Sequence, residues 1–450
     1  MRIKIVLLVL AGFLRLLFHV LPRPLTWDGS VYIGMAKAIV TVGAGGLWEP
    51  LRPLVWPLFL TPAALTPLLF VWAHLLQFLF GMGIVVLVYL LARDAFGERA
   101  GLWALGFAAL IPLLAFYEHQ LLTEQPATFF ALLAIWFATK HKCQAFFAGL
   151  FAGLSFLTKF PQGLIFAGIL FTFTFEKRWK HLFELCCGFT VPVFVFIAYN
   201  SFMYRNPLAS VIAANDVIQT SGLWLYHEPF FFYAITLVTL NIFFAFTIPG
   251  MIPLFKKNKS LLFSFLLVFA YWSLLPHKEF RFIPLLLPFV AVLAAGGWNL
   301  IAERAHKTHY HTAFLFLTCV LLAVAGTQAV FWTQRMLYDE GTIDAEMEQL
   351  YAQTASGTDI VTSDPRVAWF TNKQLVPLYY PLFPQNLSLG LAALEGRKTL
   401  LFNPCDTPCF TEDVSCLHNL ATFEKEVRAT WTLHKEITRG SCRVMLFTRP

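Results

Sequence analysis

The chain has 450 residues, of which 58% are hydrophobic and only 13% are charged. Soluble domains carry roughly 25% charged residues, so this composition excludes an ordinary soluble protein and indicates a polytopic membrane protein. The net charge of +7 does not indicate nucleic-acid binding, because the basic residues are scattered between apolar stretches, as topology signals are.

The N-terminal segment, residues 1–22, resembles a signal peptide, but no small-residue cleavage site follows it. We therefore interpret it as an uncleaved first helix. Counting apolar runs of about 17–25 residues predicts about eleven transmembrane helices. The runs lie near residues 4–22, 62–92, 100–116, 126–139, 145–158, 161–175, 182–202, 230–255, 260–276, 282–300 and 312–332.

The distribution of Lys and Arg predicts the orientation. With a cytoplasmic N-terminus, the inner segments hold about twice as many Lys and Arg residues as the outer loops, in line with the positive-inside rule. An odd number of spans then places the C-terminal region outside the cytoplasm, in a multi-pass protein of the cell membrane or endoplasmic reticulum. Acidic residues before that region fall on the predicted outer face: Asp28, Glu49, Glu118, Glu124, Asp216, Glu228 and Glu279.

The first outer loop, residues 23–61, is too polar to lie in hydrocarbon. Val31, Met35, Ala38 and Ile39 recur at helical spacing and predict a short helix along the membrane surface. Asp28 precedes a glycine, which leaves its carboxylate sterically open as a general base toward an attacking hydroxyl. The alternative is a cap on a helix that begins near Ser30.

The same loop carries candidate acceptor-binding residues. Glu49 either binds an acceptor sugar or pairs with Arg52. Trp27 and Trp48 are suited to stacking on sugars, although tryptophans also occur at membrane interfaces without a catalytic role.

Two further outer segments carry ionisable residues. Glu118, His119 and Glu124 lie between two predicted spans and are candidates for sugar or acceptor binding, with helix capping as the alternative for Glu124. Lys159 lies at the outer end of a helical hairpin, where it can bind a lipid phosphate or simply extend to the interface.

The densest polar cluster is the segment 276–284, PHKEFRFIP. Lys278 and Arg281, with His277, form a candidate phosphate clamp, and Glu279 is placed to orient Arg281 or to pair with Lys278. Positive charges on the predicted outer side run against the positive-inside rule, which favours a functional role over a topology signal.

After Trp332 the composition becomes that of a small α/β domain, so we predict two domains, 1–332 and 333–450. A helix is predicted at 343–355 and strands at 359–362, 399–402, 430–437 and 443–448. The four cysteines Cys405, Cys409, Cys416 and Cys442 predict one or two disulfides outside the cytoplasm, with a zinc site that includes His418 as the alternative. Asn386 begins an N-glycosylation pattern.

The segment from His277 to Phe282, followed by Pro284, resembles the HKE-x-RF signature of glycosyltransferase family 22, a group of mannosyltransferases with the GT-C fold. The first loop is similar as well, since Asp28, a glycine-rich stretch, Trp48-Glu49 and Arg52 follow that family's order. The family usually has Asp-Glu where this chain has Asp28-Gly29. Leu122–Pro126 and Leu157–Lys159 look more like segments of protein mannosyltransferases and lipid-A aminoarabinose transferases.

This resemblance implies an all-α GT-C enzyme that transfers a sugar, most often mannose, from a polyprenyl phosphate such as dolichyl phosphate, with inversion. Asp28 is then the base, and Lys278, Arg281, His277 and Lys159 bind the donor phosphate. The acceptor is a glycan, glycolipid or protein, and neither a metal nor a cofactor is expected.

A transporter or flippase of lipid-linked or anionic solutes is the alternative function. Transporters place ionisable groups near the bilayer midplane and often contain repeats, whereas here the charges lie at span ends and no repeat is evident. A membrane scaffold without catalytic activity would leave the outer polar cluster unexplained.

Overall fold

The computed structural model describes residues 2–19, 26–140, 144–221, 227–306, 311–339, 345–378, 387–406, 409, 414–440 and 442–449. The predicted glycosylation acceptor Asn386 lies outside these residues. The chain divides into two compact units. The helical unit comprises Met1–Leu21, Leu51–Val55 and His74–Glu340, and the mixed unit comprises Pro22–Pro50, Trp56–Ala73 and Gly341–Pro450.

Most of the described chain is helical. The helices are α1 (Arg2–His19), α2 (Trp27–Val40), α3 (Val55–Leu60), α4 (Leu69–Phe96), α5 (Glu98–Leu110), α6 (Pro112–His119), α7 (Glu124–Thr139), α8 (Ala145–Thr158), α9 (Gly163–Phe175), α10 (Trp179–Tyr204), α11 (Ala209–Ser221), α12 (Phe232–Leu240), α13 (Thr247–Lys257), α14 (Lys259–Leu274), α15 (Leu287–His306), α16 (His311–Asp339), α17 (Ala345–Ser356), α18 (Leu387–Ala392) and α19 (Val414–Thr430). Short 3-10 turns at Thr61–Ala63, Phe160–Gln162, Ile242–Phe246, Phe280–Leu285 and Pro365–Trp369 join some of them.

Each apolar run predicted as a span contains helix, but fewer helices are long enough to cross a membrane alone. Among the described residues, three helices meet that requirement by length and composition, within α4, α10 and α16. The consecutive helices α5 and α6, bent by 49° at their junction, form a fourth apolar unit of sufficient length. The prediction of about eleven spans is therefore not confirmed, whereas a mainly helical, apolar protein is.

The predicted span at residues 230–255 is wrong as a continuous helix. The chain is extended at Asn241, with φ −157° and ψ 119°, and the Asn241 side chain accepts a hydrogen bond from the backbone N–H of Phe243. This side-chain acceptor ends α12 and begins a new turn, as Asn does at helix starts. The apolar run is consequently divided among α12, a 3-10 turn and α13.

Close helix contacts in the helical unit depend on small residues. A Cβ at Gly149 of α8 would lie 2.0 Å from the carbonyl oxygen of Leu185, and one at Gly188 of α10 would lie 1.9 Å from that of Phe146. These two helices therefore pack with their backbones in contact, the arrangement that small residues permit between apolar helices.

The mixed unit contains a six-stranded sheet of β1 (Gly46–Leu47), β2 (Ile360–Thr362), β3 (Gln374–Pro377), β4 (Thr399–Phe402), β5 (Thr432–Arg439) and β6 (Cys442–Thr448). The strand order is β1-β3-β2-β4-β6-β5. The first four strands are parallel, and β6 runs antiparallel to β4 and β5. Strands β2, β4, β5 and β6 and helix α17 lie where the sequence predicts a small α/β domain.

Strand β1 comes from the first outer loop, and it changes the predicted domain division. Gly46 and Leu47 pair with Gln374 and Leu375, so part of residues 23–61 belongs to the same sheet as the C-terminal strands. Composition places the boundary at residue 332, but a two-residue strand leaves no periodic signal in the sequence. The boundary at 332 also falls inside α16.

Helix α2 forms as predicted, but it is buried on all sides and has no exposed face of the kind that the spacing of its apolar residues predicts. Every residue from Gly29 to Ala38 is buried, because the helix packs against the 3-10 turn Pro365–Trp369 and against β1. Gly34 permits this contact, since a Cβ there would lie 2.8 Å from the Cβ of Leu47. Lys37 is buried with it and donates to the carbonyl oxygens of Ala368 and Thr371 at 2.7 and 2.9 Å.

Candidate active site

The segment with the predicted signature forms a short connection between two helices of the helical unit. Helix α14 ends at Leu274, the 3-10 turn begins at Phe280, and α15 follows from Leu287. Within the connection, His277 forms an isolated antiparallel bridge with His227. The ionisable residues thus lie on a short connection without α-helix, whose backbone is joined to a second loop by this bridge.

Glu279 is the centre of the hydrogen-bond network in this segment. Its carboxylate accepts from Nε2 of His277 and, at 2.7 Å, from a terminal nitrogen of Arg281. The hydroxyl of the fully buried Tyr233 accepts from the backbone N–H of Glu279 at 3.3 Å. Glu279 therefore orients Arg281, as the sequence suggests, and it orients His277 as well.

Lys278 differs from Arg281 in how its charge is used. Its side chain is 4% exposed, and Nζ donates to the carbonyl oxygens of Leu275 and Glu228 at 2.5 and 2.9 Å. Burial lowers the pKa of the Lys278 ammonium below its usual range, while the charge of Glu228 opposes that shift. Two of its three N–H donors hold the loops together, which leaves one donor for another partner.

The ring of Phe282 lies among the cations of the site. Nζ of Lys159 is 4.9 Å from the ring centroid and Cζ of Arg281 is 5.2 Å from it, both within the range of cation–π attraction. Trp272 stacks on the same ring at 4.0 Å. Lys159 also pairs with the buried Glu124, whose Oε1 lies 2.7 Å from Nζ. Of these cations, Arg281 has the more exposed side chain, at 29%, against 15% for Lys159.

A further cation near this site escaped the sequence analysis. The guanidinium of Arg335, an exposed residue of α16, lies 5.8 Å from the ring centroid of Phe280 and 5.4 Å from that of Trp332. Arg335 follows an apolar run and stands apart from any motif in the sequence. Its isolated charge at the end of a predicted span is the one signal that marks it.

An apolar cavity of about 670 Å³ lies in the helical unit. It is lined mainly by aliphatic and aromatic side chains of α1, α5 and α16, including Leu14 and Phe107. Thr333 and Gln334 also line it, and they are the chain neighbours of residues 332 and 335, which contact Phe280. The cavity suits a hydrocarbon chain in size and polarity.

In the mixed unit, Asp28 lies in the first turn of α2 and is not its cap. Helix α2 begins at Trp27, and the Thr26 hydroxyl accepts from the backbone N–H of Gly29. The capping role considered for Asp28 therefore belongs to Thr26. Asp28 and Trp27 are both partly buried, and a carboxylate in a first helical turn is stabilised by the positive end of the helix dipole.

The remaining predicted residues of the first loop are divided between the units. Trp48 and Glu49 belong to the mixed unit, directly after β1, where Trp48 is partly buried and Glu49 is 4% exposed. Arg52 belongs to the helical unit and is partly buried. The predicted contacts of these residues with an acceptor stay predictions.

Glu118 has a structural partner that the sequence analysis did not identify. Nε of Arg15 donates to its Oε1 at 2.9 Å, and the two side chains are 1% and 0% exposed. A Cβ on Gly81 would lie 2.2 Å from the same oxygen, so the carboxylate is tightly enclosed. Arg15 interrupts the first apolar run, and an arginine inside such a run is the signal that could have revealed the pair.

A second buried network was also missed, at the end of β2 in the mixed unit. Asp364, which is fully buried, accepts from Tyr351, Arg366 and Asn403 at 2.7 to 2.8 Å. Arg366 and Asn403 also contact Asp406. Burial by itself raises the pKa of Asp364, but the charge of Arg366 and the hydrogen bonds from Arg366 and Asn403 together outweigh it and lower the pKa below the usual range. The network holds the carboxyl ends of β2 and β4.

The four predicted cysteines pair in the structure. Cys405 is bonded to Cys442, and Cys409 to Cys416. The first bond joins the segment after β4 to the start of β6, and the second closes a short loop before α19.

Comparison with known proteins gives a family and a fold. The model of the Alg9-like mannosyltransferase family matches residues 49–364. A Dol-P-Man:Man(7)GlcNAc(2)-PP-Dol alpha-1,6-mannosyltransferase of Drosophila melanogaster is 26% identical over 279 residues, which cover 58% of this chain. The match spans 40% of that protein.

Two solved structures share the fold. ArnT from Cupriavidus metallidurans bound to undecaprenyl phosphate superposes with a TM-score of 0.68, at 14% identity, over 98% of this chain and 97% of that one. The oligosaccharyltransferase AglB from Archaeoglobus fulgidus, in complex with an inhibitory peptide and a dolichol-phosphate, gives 0.62 at 13% identity, over 98% and 74%. The chain therefore has the fold of these membrane glycosyltransferases.

Proposed function

This chain belongs to the Alg9-like mannosyltransferase family, and from that premise we propose that it transfers mannose from a polyprenyl-phosphate donor to a glycan, glycolipid or protein acceptor. The observation that carries the proposal is the cluster of Arg281, His277 and Lys159 around Phe282, held by Glu279 and Glu124. No observation favours the transporter.

The chemistry of a lipid-phosphate donor explains why cations are needed. The acceptor oxygen attacks the anomeric carbon, the bond from that carbon to the phosphate oxygen breaks, and the phosphate leaves with the electron pair. A phosphate leaving group needs electrostatic stabilisation rather than a proton. In the proposal Arg281 binds it with forked donors, and Lys159, His277, Lys278 and the newly found Arg335 add positive charge.

Asp28 is proposed to accept the proton of the attacking hydroxyl. The hydroxyl oxygen then displaces the phosphate directly, and this single displacement inverts the anomeric centre. That Thr26 caps α2 supports this role, because capping no longer explains the carboxylate. We assign acceptor contacts to Trp27, Trp48, Glu49 and Arg52. The enclosed pairs of Glu118 and Glu124 favour structural roles for those two acids.

The apolar cavity of the helical unit is proposed to hold the polyprenyl chain. Its lining is apolar apart from a few side chains such as Thr333, which adjoin residues that contact Phe280. We further propose that the N-terminus is cytoplasmic and the C-terminal region extracytoplasmic, which agrees with two disulfides in the mixed unit.

The test measures transfer of radiolabelled mannose from polyprenyl-phosphate mannose in membranes that contain equal amounts of each variant. Asp28→Asn should abolish transfer, whereas Asp359→Asn, an exposed residue with φ +49°, should not change it. Arg281→Met should raise the KM for the donor at least tenfold, and Arg304→Met, on an exposed helix end, should leave it unchanged.

Equal transfer by wild type and Asp28→Asn would contradict the assignment of the base and make Glu49 the next candidate. A variant Arg281→Met with neither a raised donor KM nor a lowered kcat would contradict the role of Arg281 at the donor phosphate. If wild type transfers no label while an established mannosyltransferase does so in the same membranes, mannose is not the donor sugar.

A further inference from the structure

Three histidines from three different helices meet in the helical unit. His19 is the last residue of α1, His74 lies near the start of α4, and His119 is the last residue of α6. One ring nitrogen of each lies within 4.8 Å of one of each of the others. Nδ1 of His19 and Nδ1 of His74 are 2.8 Å apart.

The three imidazoles of the cluster are largely buried. His74 is 8% exposed and His119 is 1% exposed, while His19 is partly buried. Nε2 of His19 is buried and makes no hydrogen bond to any described residue. Buried polar nitrogens are normally satisfied, so an unpaired one beside two further imidazoles points to a missing ligand.

The donor set suits a transition metal. Imidazole nitrogens favour zinc, copper and nickel, whereas magnesium and calcium prefer oxygen ligands. With Zn–N bonds of about 2.0–2.1 Å in a tetrahedron, two ligand nitrogens lie about 3.3 Å apart. One nitrogen of each imidazole already lies within 4.8 Å of one nitrogen of each of the others, so modest side-chain rotations would bring three ligand nitrogens to that spacing.

We propose that His19, His74 and His119 bind one divalent transition-metal ion, with zinc as the expected metal. Three protein ligands leave a fourth position for water or another donor. The ion joins the ends of α1, α4 and α6. It would reinforce the link between α1 and α6 that the Arg15–Glu118 pair makes, since Arg15 lies one helical turn before His19 and Glu118 lies one residue before His119. The site is separate from the proposed sugar transfer, for which no metal is expected, and it reassigns His119 from acceptor binding.

The experiment uses full-length protein purified in detergent through a tag without histidines. Wild type should contain about one zinc per chain by mass spectrometry of the metal. His19→Gln, His74→Gln and His119→Gln should each lose it. His181→Gln, in which the changed residue lies against Phe173 and outside the cluster, should keep it.

A second measurement does not depend on the folding of the variants. After chelator treatment and addition of equimolar Co²⁺, wild type should show the intense visible absorption of four-coordinate cobalt. X-ray absorption of the zinc form should give three nitrogen neighbours at about 2.0–2.1 Å. Monodisperse wild type that binds neither zinc nor cobalt would overturn the proposal. So would a metal that is retained by the three variants or has fewer than three nitrogen neighbours.

Discussion

The buried pair of Arg15 and Glu118 allows a quantitative test of how a buried ion pair affects the free energy of unfolding of this protein. The two side chains are 1% and 0% exposed, and Nε lies 2.9 Å from Oε1. Removal of one partner leaves the other charge buried and unpaired, which costs about 3–5 kcal/mol. We therefore expect Arg15→Met to lower the free energy of unfolding by that amount.

The double variant Arg15→Met/Glu118→Met should recover most of this loss. Apolar residues of similar volume often replace a buried ion pair without net destabilisation, because neither charge then has to be taken out of water. The partly exposed Arg428 is the control: its Nε lies 2.8 Å from Oε1 of Glu424, and it also pairs with Glu436. Arg428→Met should cost less than about 1 kcal/mol, since solvent screens such pairs.

Unfolding in detergent by a graded denaturant, followed by tryptophan fluorescence, gives the free energies for all four proteins. The reasoning is refuted if Arg15→Met lies within 1 kcal/mol of wild type. It is equally refuted if the double variant is no more stable than the single one, because the cost would then arise from lost packing and not from an unpaired charge.

Three further predictions concern the mixed unit. Gly34→Ala places a Cβ 2.8 Å from that of Leu47 and should lower the stability by about 1–3 kcal/mol. The control Gly326→Ala, whose Cβ has no atom within 4 Å, should leave the stability unchanged. Differential scanning fluorimetry of the two variants measures the difference. Burial lowers the pKa of Lys37 from 10.5 to about 8, so between these two pH values the unfolded chain binds more protons than the folded one. The free energy of unfolding of wild type, relative to that of Lys37→Met, should therefore rise as the pH increases from 8 to 10. Replacing the Cys405–Cys442 pair by serines should cost about 4 kcal/mol and the Cys409–Cys416 pair about 2 kcal/mol, because the entropy of closing a loop grows with the logarithm of its length, here 37 and 7 residues. Similar losses for the two pairs in denaturant titrations would contradict the loop-entropy account.

Much of the candidate site was accessible from sequence because its residues are contiguous. The segment 277–282 carries four ionisable residues between two apolar runs, and the structure adds their mutual geometry, with Glu279 between His277 and Arg281. Lys159 was singled out by its place at the end of a hairpin. Its position near the ring of Phe282 depends on tertiary packing and has no local signal.

The features that sequence reasoning missed are formed by residues far apart in the chain. His119 was predicted to bind an acceptor, but His19 and His74 were not singled out, and the three residues form a set only when three helices pack. Asp364 and Asn403 meet because β2 and β4 are parallel neighbours, which no pattern within either strand reveals. Periodicity predicts elements, whereas these contacts depend on which elements become neighbours.

The pairing of β1 with β3 also sets an order of events in biosynthesis. Gly46 cannot pair with Gln374 until the chain as far as Gln374 has left the ribosome, so β1 stays unpaired while the helices between these two residues are made. Contacts between such distant positions form late and slowly, because a very long stretch of chain must first be brought together. During that interval Asp28, the proposed catalytic base, lies on a helix whose neighbouring strand β1 is still unpaired. The enzyme would then acquire activity only after β3 has been made and has paired with β1 of the first loop.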